Sequence, residues 1–173
     1  MSTTDTPRAT GRHQERDGVA YLVFERTFRA PIADVWAAAT ESDRLVRWIG
    51  HWAGDPSSGS VSFWMTAEAA DAPEETIYID VCDAPQRLVM RSARPDDSAV
   101  EWTWQIDLAE TDGVTTLTFA QEVGDATLAE GVGPGWDYYL DRMVAAETGA
   151  DPGTVDFDAY YPALTEHYRN ELA

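Results

Sequence analysis

The chain has 173 residues, 44 % of them apolar and 25 % charged, which is enough for one domain with a core and short for two. A formal charge of -19 and a sequence pI near 4.2 exclude nucleic acid and anionic lipid as primary partners, because both attract clusters of Lys and Arg. The twelve Lys and Arg positions are all Arg, which excludes a Schiff-base lysine, a phosphate-loop lysine and a pyridoxal anchor, and the single cysteine, Cys82, excludes an internal disulfide and a Cys-rich zinc cluster.

Residues 1–18 mix Thr, Arg, Gln, Asp and Gly without apolar periodicity and read as a flexible lead-in to a single domain over residues 19–173. From Val19 to Arg29, Leu22, Phe24 and Phe28 fall at even spacing with Arg26 in phase, the pattern of a half-buried strand. Pro31 then opens a helix carrying Ile32, Val35, Trp36 and Ala39 at three- and four-residue spacing. A second short helix, capped by Thr40 or Ser42, carries Leu45, Val46 and Trp48 toward the core, and His51 follows on the loop that leaves it.

Five strand-like runs follow: Ser60–Ala67, Glu75–Asp83, Gln86–Ala93, Ala99–Ala109 and Val114–Val123. In the fourth, Val100, Trp102, Trp104, Ile106 and Leu108 alternate with polar residues, so only one face is dry, and Thr111-Asp112-Gly113 turns into the fifth. In the second, Cys82 alternates out of step with Ile77, Ile79 and Val81 and reads as a buried or semi-buried thiol without chemistry. The carboxylate pairs Glu74-Glu75 and Asp96-Asp97 fall in expected turns, where a chain with 31 acids places them without catalytic meaning.

The run Gly131 to Gly135 reads as a tight lead into a long helix from Pro134 to Glu147, with Trp136, Tyr139, Leu140, Met143 and Val144 as its apolar stripe. Phe157, Tyr160, Tyr161, Leu164 and Tyr168 repeat at similar spacing in a short helical extension over about 155–172. One strand, two short helices, a five-strand meander and a long helix is an α+β order: a curved antiparallel sheet of about six strands whose single dry face the long helix covers.

Ala30-Pro31 with Val35-Trp36, then Trp48, Asp83-Ala84-Pro85-Gln86-Arg87-Leu88, Thr116-Leu117-Thr118-Phe119 and Gly135-Trp136-Asp137-Tyr138-Tyr139-Leu140 appear in an order that resembles the SRPBCC superfamily. Within it the chain looks like the branch named for the ATPase activator of the heat-shock protein 90 chaperone, over roughly residues 19–147. The resemblance implies a helix-grip fold similar to the birch-pollen allergen and START domains, with a hydrophobic cavity between the sheet and the last helix. Lipid carriers, hormone receptors, polyketide cyclases and ring-hydroxylase subunits share that superfamily, so the likeness implies a fold and not a reaction.

The expected pocket lining is Phe24, Arg26, Trp48, Trp52, Phe63, Met65, Trp102, Trp104, Trp136, Tyr139, Leu140 and Met143. Arg26, on the inner face, needs either a structural ion pair or an acidic ligand, and the same choice applies to Arg91. His51, Arg26 and Tyr139 are the acid/base candidates for a cyclase-like or lyase-like reaction on a pocket-bound carbonyl compound. His13, His51 and His167 show no metal-ligand spacing, and neither a metal nor a cofactor is expected. The expected function is binding of a small apolar or amphipathic molecule, non-enzymatic on balance; the alternatives are the enzyme just described and an interaction module that modulates a chaperone ATPase. No apolar run has the roughly 18 residues of a membrane span and the first twenty residues are polar, so the expected location is the cytoplasm. Monomer and homodimer stay open, and no protein partner is indicated.

Overall fold

The computed structural model describes residues 6–93 and 102–173. Among them eight strands form one antiparallel sheet: β1 (Arg12–Arg16), β2 (Val19–Phe28), β3 (His51–Ala53), β4 (Ser60–Trp64), β5 (Glu74–Asp83), β6 (Arg87–Ala93), β7 (Trp102–Thr111) and β8 (Val114–Glu122), in the order β1-β2-β8-β7-β6-β5-β4-β3. The helices are α1 (Ile32–Thr40), α2 (Ser42–Leu45), α3 (Ala126–Glu147) and α4 (Thr165–Glu171). The sheet curves around α3 in the helix-grip manner expected, with eight strands rather than about six. No helix of the described residues is long and apolar enough to cross a membrane.

The two additional strands lie at the sheet's edges. Arg12–Arg16, expected in the flexible lead-in, pairs with β2 through a two-residue Asp17-Gly18 turn in which both residues have positive φ. Its side chains are almost all exposed, so an edge strand of this kind shows no apolar alternation, and only the Asp-Gly turn announces it. His51–Ala53, expected as a loop, pairs with β4 as the opposite edge. The Asp112-Gly113 turn joins β7 to β8 in the same positive-φ geometry. Val100, expected on the inner face of β7, lies outside the described residues, as does Asp96-Asp97.

Three further local expectations change. Glu74-Glu75 starts β5 instead of forming a turn. In β5 a bulge at Asp80 shifts the register, so Ile79 faces Met90 but Cys82 faces Leu88. The extra residue turns Val81 outward and brings Cys82 onto the inner side at an exposed position, not the buried or semi-buried one expected from simple alternation. Val46 points to solvent while Leu45, Trp48 and Ile49 around it are buried, and Ser42 is not a cap: its hydroxyl donates to the Trp52 carbonyl at 2.8 Å and accepts the Trp52 N–H at 2.9 Å.

The long helix begins eight residues before the expected start. Asp125 caps it, its carboxylate accepting the N–H groups of Thr127 at 2.7 Å and Leu128 at 3.2 Å, and the helix continues through Gly131, Gly133 and Pro134. Glycine and proline there read locally as helix breakers, but tertiary packing overrides them. Tyr168 of α4 lies flat on Gly133, where a Cβ would come within 2.1 Å of the ring. Small residues let the two helices touch.

The inner face of the sheet buries Leu22, Phe24, Leu117 and Phe119 against Leu140 and Met143 of α3, each such side chain contributing about 1.5–3 kcal/mol. On another face of α3, near its middle, the packing turns polar. Asp137, wholly buried, accepts hydrogen bonds from the Thr10 N–H and hydroxyl, from the Tyr168 hydroxyl and from the Arg26 guanidinium at 3.1 Å. Arg26 also reaches Asp141 at 3.1 Å, and Asp141 accepts the Tyr160 hydroxyl at 2.6 Å. Thr10 and Gly11, placed by the sequence in a flexible lead-in, are therefore bonded to α3 and α4: the Gly11 N–H donates to the Tyr168 hydroxyl at 3.0 Å.

Two outcomes test this packing. Gly133→Ala should lose about 1–3 kcal/mol in urea unfolding and expose residues 155–172 to proteolysis, whereas Gly135→Ala, with open space around its Cβ, should be neutral or slightly stabilising; equal stability of the two variants would show that α4 does not rest on Gly133. Burial first, and Asp137 second, hold the Tyr168 hydroxyl well above its ordinary pKa of 10.0. Its stabilising contribution is complete below that value and is lost as pH rises past it, because the unfolded chain ionises first. Denaturant titrations from about pH 8 to about pH 11 should show a shallower alkaline loss for Tyr168→Phe than for the parent.

Candidate functional site

Between the concave sheet face and helices α1, α2 and α3 lies a cavity of about 350 Å³. Helix α3 supplies Trp136, Leu140 and Met143, and the centre of the sheet supplies Met90, Trp104, Ile106, Leu117 and Phe119. From β3 to β5 come Trp52, Phe63, Met65, Glu75 and Ile77, while Trp36, Trp48 and Ile49 close the side toward α1 and α2.

Four of the five indole N–H groups on the wall are satisfied behind it. Gln121, almost fully buried on β8, accepts the indole N–H of Trp104 at 3.0 Å and also that of Trp136. The Trp48 indole donates to the Ala38 carbonyl at 3.2 Å and the Trp52 indole to the Thr40 carbonyl at 2.7 Å. Thr40 spends its hydroxyl on the Trp36 carbonyl at 2.7 Å. The rings are thus held in place with their hydrocarbon surfaces toward the cavity. Gln121 escaped the sequence reading, although a polar residue in phase with Leu117 and Phe119 is the signal by which such a buried clamp is found.

Of the twelve residues expected to line the pocket, Trp48, Trp52, Phe63, Met65, Trp104, Trp136, Leu140 and Met143 do so. Phe24, Arg26, Trp102 and Tyr139 do not. Phe24 lies beyond the cavity's end, its ring centroid 6.0 Å from that of Tyr168 and 6.2 Å from that of Phe119. Trp102 pairs with Ser92, one step past Trp104 on the same face of β7. Arg26 is turned into the ion pairs with Asp137 and Asp141, so its guanidinium is structural. Arg91 is likewise bound to Asp80, at 2.6 Å.

Tyr139 sits on the flank of α3, where its hydroxyl donates to Glu68 at 2.9 Å; burial and that carboxylate push its pKa far up, so it remains a proton donor already engaged. His51 stacks on Trp64 with centroids 5.1 Å apart, on the edge of the sheet opposite to the one near Arg26. The three acid/base candidates of the alternative, enzymatic reading therefore share no cavity among the described residues. Among the described residues no cluster of three His, Cys, Asp or Glu side chains is placed to hold a metal ion.

The sequence model for Activator of Hsp90 ATPase homolog 1-like proteins matches residues 29–147. No curated protein is similar enough to count as a match. Solved structures repeat the fold at low identity. CalU16 from Micromonospora echinospora shares 19 % identity at a TM-score of 0.73, over 97 % of this chain and 99 % of that one. The BPP1335 protein from Bordetella parapertussis shares 18 % at 0.70, over 97 % and 92 %. DynU16, from the dynemicin biosynthetic locus, shares 20 % at 0.62, over 76 % of this chain and 49 % of that one. With the family match spanning well over half its length and the helix-grip architecture around α3, the chain belongs to the Activator of Hsp90 ATPase homolog 1-like family, within the SRPBCC superfamily.

Proposed function

We propose that this protein binds a small apolar or amphipathic molecule in the cavity under α3, without transforming it. The observation that carries the reading is the cavity itself: about 350 Å³ walled by indole and aliphatic surface whose polar edges are bonded elsewhere. Ligand sites of this character run from about 300 to 1,000 Å³. Apolar surface that faces open space forgoes the packing contacts a filled core would make. A chain shaped for stability alone would fill it.

DynU16 belongs to a biosynthetic locus, a setting that suits a small-molecule binder of the same fold. The enzyme reading loses support because Arg26, His51 and Tyr139 do not meet. A lone cysteine, exposed and without an internal partner, suits the cytoplasm as the place of binding.

Nile red, a neutral apolar dye, should bind the purified protein one to one with a blue-shifted, saturable rise in emission. Ala39→Phe places a ring into the cavity from α1, where Ala39 lines it, and should weaken the dye by at least about tenfold while keeping or raising the melting temperature. Undiminished dye binding by a folded Ala39→Phe protein, or no saturable binding by the parent, contradicts the proposal.

A further inference from the structure

Two polar groups on the cavity lining stay unanswered by the protein. Glu75 lies on the inner side of β5, in phase with Ile77 and Ile79, whereas its neighbour Glu74 points outward and accepts the Ser62 hydroxyl at 2.5 Å. Glu41 lines the same cavity from the α1–α2 junction. Among the described residues neither carboxylate accepts a hydrogen bond or meets a cation, and the lining contains no Arg, Lys or His.

Glu41 and Glu75 both border the cavity, one from the α1–α2 junction and one from β5, with Trp52 and Phe63 between them. Ser42, next to Glu41, is bonded to the Trp52 backbone through both its donor and its acceptor, and the Trp52 indole donates to the Thr40 carbonyl. Trp52 pairs across the sheet with Phe63, and Phe63 pairs with Glu75. Two carboxylates thus flank a pair of aromatic rings.

We infer that the ligand of this cavity carries a cationic amine, held by Glu75 and drawn in by the more distant Glu41, while its apolar remainder lies among the tryptophans. This rests on the small-molecule reading above and specifies the ligand's class. An inward carboxylate on an apolar face loses water when a ligand fills the space, and a cation offsets that loss where a neutral or anionic head group cannot. The charge-assisted hydrogen bond is stronger than a neutral one, and the faces of Trp52 and Phe63 add cation–π attraction. The overall charge of -19 draws cations to the mouth and repels anions.

Decylamine, decanol and decanoate share one chain and differ in head-group charge, so their displacement of Nile red from the full chain separates the possibilities. The amine should bind about tenfold more tightly than the alcohol and the carboxylate most weakly, with added salt weakening the amine alone. Because the net charge favours the amine in any variant, the deciding quantity is the amine-to-alcohol ratio. Glu75→Gln should lower it several-fold; Glu41→Gln should lower it less, as Glu41 is the more exposed of the two. An alcohol that binds as well as the amine, or a ratio that Glu75→Gln and Glu41→Gln leave intact in folded protein, overturns the amine assignment and leaves the apolar pocket standing. Displacement by none of the three overturns the amine assignment, whereas absence of saturable Nile red binding overturns the pocket reading with it.

Discussion

The carboxylate of Asp137 has no access to water, and the shape of the rest of the molecule depends on how it is satisfied. Its partners come from three separate parts of the chain: Thr10 ahead of β1, Arg26 on β2 and Tyr168 on α4. Breaking a buried pair of this sort costs about 3–5 kcal/mol, so a helix rotated or shifted out of reach of these groups is strongly disfavoured. Since Asp137 adjoins Trp136 and lies one turn before Leu140, fixing it toward β2 and α4 turns Trp136, Leu140 and Met143 onto the concave sheet. The same knot fastens both ends of the described chain to α3, which is how a helix that carries Gly133 and Pro134 keeps its place.

The face of α3 that carries Trp136, Leu140 and Met143 meets a different constraint. There the sheet and the helices α1 and α2 stand apart, and the indoles between them are tied back by Gln121 and by the carbonyls of Ala38 and Thr40. A wall whose rings are already oriented loses little side-chain freedom when something fills the space, which favours binding of weakly polar molecules. The protein thus divides its polar chemistry unevenly: a dense, satisfied network on the Asp137 face of α3, and a dry chamber with two unanswered carboxylates on the other.

Much of this architecture was legible in residue spacing. The Trp102–Leu108 alternation, the Trp136, Leu140, Met143 stripe and the Asp112-Gly113 turn each obey one local rule, and each appears as read, apart from the Val100 end of the alternation, which lies outside the described residues. What escaped depends on partners distant in sequence. The exposed strand Arg12–Arg16 has no apolar face to betray it; the bulge at Asp80 inverts the alternation that Cys82 and Val81 suggested; and the helix through Gly133 exists because Tyr168 packs on that glycine. At the site, large aromatic residues were the readable part. Arg26 and Tyr139 were misplaced because an inward-facing polar residue can turn either to a ligand or to a buried partner, and only the positions of Asp137, Asp141 and Glu68 decide which. Glu75 was passed over for the converse reason: a carboxylate in so acidic a chain attracts notice only once its neighbours prove apolar.

The seven tryptophans provide the most direct test of the central claim, because each indole N–H gives its own nuclear magnetic resonance signal. Trp36, Trp48, Trp52, Trp104 and Trp136 line the cavity, while Trp64 and Trp102 do not. Titration of the labelled protein with a small apolar ligand should move the first five signals together toward saturation and leave the other two in place. Uniform shifts across all seven, or movement of Trp64 and Trp102 alone, would mean that the molecule binds on the surface and that the space under α3 is not its site.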